Sequence, residues 1–333
     1  MAKVAVLGAG SWGTALAIHL ARLRHSVSLW ARNEQAIGVL VRDRAHRSHP
    51  SVELPSALEP TSDIAAACRD AEAIVVACPS HAVRALTGAY GSLATPHALV
   101  VSTAKGIEAD TMLTMSAVLE EALPDTLSRR VAVLSGPSFA REVAQGMPTA
   151  VTAAAREILV AEELQRLFNG PTFRVYTSTD TIGVEVGGAV KNVIAVAAGV
   201  SDGLGFGSNT RAALITRGLA EIARLAMRLG AERATLAGLA GLGDLVLTCT
   251  GDLSRNRQVG LRLGRGEKLR NILADMSEVA EGVRNTATIR DLAQSAQVEM
   301  PITEQMHRVL YEDKDPAQAV VDLMARQLKH ELA

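Results

Sequence analysis

From Lys3 to Ser178, short apolar, β-branched runs alternate with stretches of helical periodicity. The strand-like runs are KVAVLG, SVSLW, AEAIVVAC, ALVVSTA, RVAVLSG, TAVTAA and TFRVYTS. They are nearly continuously apolar, which is typical of strands buried on both faces of a parallel sheet. The segments TMLTMSAVLEEAL and EILVAEELQRLF predict helices between them. This alternation predicts an α/β domain with a doubly wound parallel sheet.

After Ser178 the strand pattern almost disappears. Helical periodicity dominates in RAALITRGLAEIARLAMRLG, RNTATIRDLAQSAQ and DPAQAVVDLMARQLKHELA. We therefore predict two domains, an α/β domain over residues 1–179 and an all-α domain over residues 180–333. The intervening STDT supplies side chains that can cap the next helix.

That next helix, GVEVGGAVKNVIAVAAGV, is apolar on nearly every side but contains Lys191. Glu185 and Lys191 interrupt the apolar run, so we do not interpret it as a membrane span. A buried ammonium needs a partner, and a carboxylate on a neighbouring helix would be one. Gly187 and Gly188 lie on the face of Lys191 and weaken the helix by about 1 kcal/mol each relative to alanine. Close packing or a bound ligand is expected to compensate.

Composition narrows the class of protein. The 333 residues carry a formal net charge of −1 and contain 3% aromatic residues, which argues against nucleic-acid binding. Three widely spaced cysteines, Cys68, Cys78 and Cys249, fit a reducing cytoplasm better than a disulfide framework. The eight histidines show no paired ligand spacing, so we predict no metal site. We interpret the apolar N-terminus as a strand, a turn and a helix, not as a signal peptide.

The turn in that N-terminal segment carries a phosphate-binding motif. Gly8, Gly10 and Gly13 form a GxGxxG sequence directly after a strand and at the start of a helix. In this context the first glycine permits a tight turn, the second lets the backbone approach a pyrophosphate, and the third allows helix–strand packing. The pattern predicts a Rossmann-like dinucleotide site.

Arg32 bears on which dinucleotide binds. NAD-specific sites usually place a carboxylate at the end of the second strand, but here SVSLW is followed by Ala31, Arg32 and Asn33. A guanidinium suits a ribose 2′-phosphate, so we expect NADP(H) to be preferred and NAD(H) to be possible. The alternative is that Arg32 is an ordinary solvated surface charge.

Four further stretches concentrate polar residues. They contain Lys105 after one strand, Gly136 and Ser138 after another, Asp244 followed by the trio Ser254, Arg255 and Asn256, and Glu281 beside a glycine. Lys105 and Gly136 follow strands, at the edge of an open α/β sheet where ligands bind. Ser254, Arg255 and Asn256 stand at a predicted helix start, where backbone amides and a guanidinium can bind an anion. For Ser254 alone, helix capping is the better interpretation.

The motifs together resemble a known family. GAGSWGTA, STAKGIE, LSGPSFARE, EVGGAVKNVIAVAAGVSDGLGFGSNTRAALITRGLAEI, GLGDLVLTCTGDLSRNR and AEGVRNT are similar, in this order, to the bacterial NAD(P)-dependent glycerol-3-phosphate dehydrogenases. The chain departs from the family pattern between Asn33 and Thr61. By resemblance, the residues that contact the cofactor are Ser11, Trp12, Arg32, Lys105, Ala140, Arg255, Val279 and Glu281. Those around the substrate are Lys105, Gly136, Ser138, Lys191, Asp244, Ser254, Arg255 and Asn256.

The resemblance implies reversible, NAD(P)H-dependent reduction of dihydroxyacetone phosphate to sn-glycerol 3-phosphate, supplying phospholipid synthesis in the cytoplasm. Lys191 would transfer the proton, with Lys105 adding positive charge. Asp244 would either orient Lys191 or bind a substrate hydroxyl. The glycine pair would leave room for the substrate. The apolar helices after Ser208 would pack either on a second copy, which gives the predicted homodimer, or on each other. The alternatives are a lysine-using dehydrogenase of β-hydroxyacids and an NADP-binding sensor without turnover.

Overall fold

An eight-stranded sheet organises the first half of the chain. The structure, a computed structural model, describes residues 1–276, 280–328 and 330. Its strands are β1 (Lys3–Leu7), β2 (Ser26–Trp30), β3 (Ala45–His46), β4 (His49–Glu53), β5 (Leu58–Thr61), β6 (Ala73–Val76), β7 (Leu99–Ser102), β8 (Val131–Ser135), β9 (Thr149–Ala154) and β10 (Phe173–Ser178). The sheet order is β10-β9-β8-β7-β6-β1-β2-β5, and β3 pairs with β4 separately.

Helices cover both faces of this sheet. They are α1 (Ser11–Arg22), α2 (Glu34–Asp43), α3 (Ile64–Cys68), α4 (Val83–Tyr90), α5 (Met115–Ala122), α6 (Asp125–Ser128), α7 (Ala140–Gln145) and α8 (Ile158–Phe168). Alternate residues of β1 point to opposite sides, with Val4 and Val6 in one apolar cluster and Ala5 and Leu7 in another. The predicted α/β class with two covered faces is confirmed.

The sheet is mainly parallel, as predicted, but not at one edge. β9 pairs antiparallel with β8, and β10 runs parallel to β9, so these two strands oppose the rest. The strand pattern alone gives no sign of this antiparallel edge. The connection from β8 to β9, residues 136–148, has the six-residue α7 as its helix, and α7 is only about 9 Å long, too short to return the chain along a full strand.

Three strands, β3 to β5, lie where the hydrophobic pattern indicates none. Pro50 lies in β4 and Pro60 in β5. Proline is depleted in strands because it lacks an N–H donor, and it is tolerated mainly at sheet edges. β5 is the outermost strand beside β2, which explains how Pro60 fits there.

In the part of the chain described after Ser178, all regular elements are helices. They are α9 (Thr181–Gly203), α10 (Ser208–Arg228), α11 (Arg233–Leu236), a π-helical turn (Leu239–Gly243), α12 (Asp244–Thr250), α13 (Arg255–Gly264), α14 (Leu269–Asp275), α15 (Glu281–Ser295), α16 (Pro301–Tyr311) and α17 (Pro316–Met324). The Asp180 side chain caps α9 by accepting a hydrogen bond from the Gly183 amide at 2.8 Å. The all-α character of this half is confirmed, and the domain division at residues 179 and 180 stays a prediction.

Helix α9 is the centre of the second half. It is long and apolar enough to cross a membrane, with 23 residues and a mean hydropathy of 1.4, yet 94% of its apolar window is buried inside the protein. Its neighbours α10, α12, α13 and α15 surround it. The apolar character of α9 is therefore explained by its place in a protein core.

Candidate active site

Two lysines share one buried carboxylate where the sheet meets the helical half. The Lys191 ammonium donates a hydrogen bond to Oδ1 of Asp244 and another to Oγ1 of Thr248, at 2.8 Å. The Lys105 ammonium donates to Oδ2 of Asp244 at 2.7 Å and to the Gly136 carbonyl at 3.1 Å. Asp244 therefore holds two amines, one from each half of the chain.

Burial changes the proton affinity of Lys191. Lys191 is 5% exposed and Asp244 only 1%. The pKa of Lys191 is lowered to about 7, chiefly because water no longer stabilises the charge of the buried amine. The Asp244 carboxylate raises this pKa in part, and the nearby Lys105 contributes to lowering it. An amine with such a pKa can both give and take a proton near neutral pH.

The position of Asp244 favours one of its two predicted roles. Each carboxylate oxygen accepts a hydrogen bond from a lysine, and the residue begins α12 directly after the π-helical turn. π-Helical turns are uncommon and frequently occur at functional sites. This geometry favours the orientation of Lys191 over the binding of a substrate hydroxyl.

The glycine pair before Lys191 does not leave the space that we expect. A Cβ at Gly187 would lie 2.9 Å from the Ala240 carbonyl oxygen, and one at Gly188 would lie 3.0 Å from Oγ of Ser135. Protein atoms therefore fill both positions. The expectation of room for substrate is wrong, and close packing is the correct alternative, since it brings α9 against the π-helical turn and the end of β8.

The predicted strand-end residues converge beside this pair. Lys105 follows β7 and Gly136 follows the neighbouring β8. The Gly136 carbonyl accepts hydrogen bonds from the Lys105 ammonium and from Oγ of Ser138, the latter at 3.0 Å. Gly136 has φ of +139°, and a Cβ there would lie 3.0 Å from Cα of Val151, so the turn requires glycine. The Lys105 side chain remains 19% exposed.

Two asparagines that the sequence reasoning missed fix the Lys105 backbone. Its carbonyl accepts hydrogen bonds from Nδ2 of Asn285, at 3.0 Å, and of Asn192, at 3.5 Å. Oδ1 of Asn192 in turn accepts from Nδ2 of Asn256 at 2.9 Å. Only their positions in the sequence could have marked these two asparagines, because Asn192 follows Lys191 and Asn285 lies in the AEGVRNT motif.

Helix α13 begins beside these hydrogen-bonded asparagines, as predicted for the segment Ser254-Arg255-Asn256. Ser254 is its cap, with Oγ accepting a hydrogen bond from the Arg257 amide at 3.2 Å, so the capping interpretation of Ser254 is confirmed. Arg255 is exposed, and Oδ1 of Asn256 accepts from the Gly282 amide at 2.9 Å. A helix N-terminus with an exposed guanidinium suits an anion, and through Asn256 this one contacts Asn192, the residue after Lys191 on α9.

The glycine loop has the shape that a pyrophosphate requires. Gly8 has φ of +129°, and a Cβ there would lie 2.5 Å from the Ala77 carbonyl oxygen; at Gly13 it would lie 1.9 Å from the Gly8 carbonyl oxygen. A Cβ at Gly10, by contrast, would meet nothing within 4 Å, and no side chain caps α1. The buried indole N–H of Trp12 has no hydrogen-bond partner among the described residues. The loop therefore fits a dinucleotide phosphate.

The other predicted cofactor residues are spread around this loop. Arg32 is exposed directly after β2, and Ala140 is the first residue of α7. Glu281 begins α15 and accepts a hydrogen bond from the Ser80 amide at 3.1 Å, and burial raises its pKa. Val279 lies outside the described residues.

His49 is a further neighbour of the loop that the sequence reasoning missed. Its Nε2 donates to the Ser11 carbonyl at 2.8 Å, and the side chain is buried. His49 lies in the segment where the chain departs from the family pattern, so no motif marked it. Among the described residues, no group of three or more His, Cys, Asp or Glu side chains is arranged to hold a metal ion.

Both halves of the chain match the same family of proteins. The profile for "NAD-dependent glycerol-3-phosphate dehydrogenase N-terminus" matches residues 3–161, and the corresponding C-terminus profile matches residues 180–321. The chain belongs to this family. The resemblance inferred from the motifs is thereby confirmed, whereas the contacts of individual residues with cofactor and substrate stay predictions.

Individual relatives agree over nearly the whole length. A glycerol-3-phosphate dehydrogenase [NAD(P)+] of Geobacter sulfurreducens is 52% identical over 99% of this chain and 98% of its own, and one of Geobacter sp. strain M21 is 53% identical over the same shares. The crystal structure of glycerol-3-phosphate dehydrogenase from Coxiella burnetii is 41% identical, with a TM-score of 0.93 over 98% of this chain and 99% of that one.

Proposed function

We propose that this protein catalyses the reversible, NAD(P)H-dependent reduction of dihydroxyacetone phosphate to sn-glycerol 3-phosphate. The observation that carries the proposal is the pair of lysines on Asp244, beside the N-terminus of α13. Reduction of a ketone needs a hydride and a proton, and a buried amine with a pKa of about 7 suits the second task.

Different residues of the chain transfer the proton, stabilise the developing charge and bind the substrate phosphate. Lys191 protonates the carbonyl oxygen as the carbonyl carbon is reduced, and removes the proton in the oxidative direction. Lys105 places positive charge near the same oxygen, where negative charge develops in the transition state. The first turn of α13, with Ser254, Arg255 and Asn256, binds the substrate phosphate and so orients the carbonyl.

Gly10, with open space beside it, and the uncapped N-terminus of α1 would hold the pyrophosphate of the dinucleotide. When bound, its nicotinamide ring supplies or accepts the hydride. By the family resemblance, Ser11, Trp12, Ala140 and Glu281 would complete the cofactor site.

The test is cofactor oxidation with dihydroxyacetone phosphate as substrate and identification of the product. We expect turnover that depends on the phosphorylated ketone and forms sn-glycerol 3-phosphate. Turnover only with an α- or β-keto acid would contradict the proposal in favour of a hydroxyacid dehydrogenase. Tight cofactor binding without turnover on any of these substrates would favour a sensor.

We expect Arg32→Ala to weaken the use of NADPH selectively. Arg32 is exposed at the end of β2, where it can pair with a 2′-phosphate. The loss of one charge-assisted hydrogen bond lowers kcat/KM for NADPH by about 10- to 100-fold, while kcat/KM for NADH changes little. Initial rates with both cofactors measure this.

Arg129→Ala is the matched control for that substitution, because Arg129 is an exposed arginine after α6, in a different part of the sheet domain. Equal losses with NADPH and NADH in Arg32→Ala would contradict the role in 2′-phosphate binding. A preference for NADPH supports a biosynthetic role, the supply of sn-glycerol 3-phosphate for phospholipids in the cytoplasm. Efficient turnover in the oxidative direction with NAD alone would contradict that role.

The protein is a homodimer in this proposal. Leu242 and Val246, four residues apart on consecutive helical turns, are 37% and 39% exposed, and Phe206 is 40% exposed. We place these exposed apolar side chains in the proposed interface between two copies of the chain. Sedimentation equilibrium at micromolar concentration is expected to give twice the 35.0 kDa of one chain, and a monomer throughout would contradict the dimer.

A further inference from the structure

One carboxylate outside the lysine pair joins three helices. Oδ1 of Asp202 accepts hydrogen bonds from Nε and Nη2 of Arg211, at 2.9 and 2.6 Å. Oδ2 accepts from Nε of Arg257 at 2.8 Å, and Nη2 of Arg257 lies equally close. Asp202 lies in α9, Arg211 in α10 and Arg257 in α13, so this ion pair network ties all three helices together.

The position of Asp202 within its helix is electrostatically unfavourable. It lies in the last turn of α9, where the helix dipole disfavours negative charge, and its side chain is only 6% exposed. Two guanidinium groups compensate for the lost solvation. Arg257 also pairs with Asp252, at 2.9 Å, in the turn before α13, so it is held from both sides.

Helices α9 and α13 are in backbone contact alongside this network. A Cβ at Gly199 would lie 2.0 Å from the Arg257 carbonyl oxygen, and one at Gly260 would lie 2.0 Å from that of Val196. The pairing of Asn192 with Asn256 continues the same alignment towards the start of α13. The first turn of α13 is thereby held at the level of Lys191 on α9.

We propose that Asp202 is a positioning residue for the phosphate-binding end of α13. By fixing Arg257, it keeps Arg255 and Asn256, on the same turn, in register with Lys191. This inference rests on the proposed function, because it takes the first turn of α13 as the site of the substrate phosphate. Asp202 itself contacts neither substrate nor cofactor.

The test compares a phosphorylated with an unphosphorylated substrate. In Asp202→Asn, which keeps the size but not the charge, we expect the ratio of kcat/KM for dihydroxyacetone phosphate to that for dihydroxyacetone to fall by about tenfold, of the order of one charge-assisted hydrogen bond. The loss appears mainly in KM for dihydroxyacetone phosphate. The dissociation constant for NADPH stays unchanged.

A second variant and a control guard against a loss of folding. Arg257→Gln breaks the same pair while Arg211 still neutralises Asp202, and we expect the same fall in the ratio. Glu267→Gln removes a carboxylate that pairs with Arg262, at 2.6 Å, towards the other end of α13, and leaves the ratio unchanged. Thermal melting checks that each variant is folded.

An unchanged ratio in both Asp202→Asn and Arg257→Gln would overturn the positioning role, even if both variants were less stable. Equal losses with the two substrates would overturn it too, since they indicate a general structural effect. A wild-type protein that reduces dihydroxyacetone phosphate no better than dihydroxyacetone would instead contradict the proposed function.

Discussion

Substitution of Lys191 by methionine is expected to lower kcat for dihydroxyacetone phosphate reduction by about 10²- to 10⁴-fold, the range for loss of a general acid. Methionine retains the apolar stem within the core and removes only the amine of Lys191, a residue that is 5% exposed in the wild type. In the proposed site the substrate phosphate and the cofactor are held by other residues, so KM and the NADPH dissociation constant should change little. Steady-state rates and a fluorescence titration with NADPH measure these quantities.

Lys191→Arg separates proton transfer from simple charge. A guanidinium stays protonated throughout the accessible pH range, so it stabilises negative charge but cannot release a proton. We expect this variant to be nearly as slow as the methionine variant. A folded Lys191→Met protein with a kcat close to wild type would contradict the assignment of Lys191 as the proton donor.

Substitution of Asp244 by asparagine is expected to reduce both catalysis and stability. It removes the charge that both Lys191 and Lys105 contact in a buried site. The loss of charge-assisted hydrogen bonds lowers kcat/KM by about 10- to 100-fold at neutral pH. It also leaves two amines without their counter-charge, so we expect a lower midpoint of thermal unfolding.

The dependence of kcat/KM on pH gives this substitution a specific signature. Burial places the pKa of Lys191 at about 7, so the protonated form is abundant below pH 7 and scarce above it. In the wild type, kcat/KM for reduction therefore falls as pH rises through about 7, and kcat/KM for oxidation rises. The Asp244 carboxylate raises the pKa of Lys191, so both midpoints should move to lower pH in Asp244→Asn.

Thr248→Val is the comparison variant for that experiment. It removes the neutral hydrogen bond to Lys191, 2.8 Å long, and leaves both lysines paired with Asp244. Its midpoint should stay closer to that of the wild type. A midpoint that is unchanged or raised in Asp244→Asn would contradict the electrostatic role of Asp244.

Much of the fold was predictable because buried parallel strands and a GxGxxG turn have strong local signatures. The reversed direction of β9 was not predictable, because it depends on the short connection from β8. The proline-containing strands β4 and β5 were not predictable either, because proline is tolerated there only by virtue of an edge position. Both features are consequences of tertiary structure, not of local sequence pattern.

The residues of the candidate site could be predicted from the sequence, but the contacts between them could not. Lys105, Lys191 and Asp244 carry motif signals, yet their sharing of one carboxylate depends on contacts across as many as 139 residues. Asn192 and Asn285 carry no signal of their own, because their role is to bind a backbone carbonyl. Gly187 and Gly188 pack against protein atoms and do not leave room for substrate. The sequence pattern could not show this, because a glycine beside protein and a glycine beside a ligand look the same in it.

The most direct test of the central claim is a titration of Lys191 itself. The chain contains six lysines, so protein labelled with ¹³C at the lysine ε-carbon gives few NMR signals, and Lys191→Arg identifies the relevant one. The structure predicts a signal that titrates near pH 7 in the folded protein and moves to lower pH in Asp244→Asn. A Lys191 signal that titrates near the ordinary lysine value of 10.5 would contradict the account of Lys191 as a proton donor and acceptor at neutral pH.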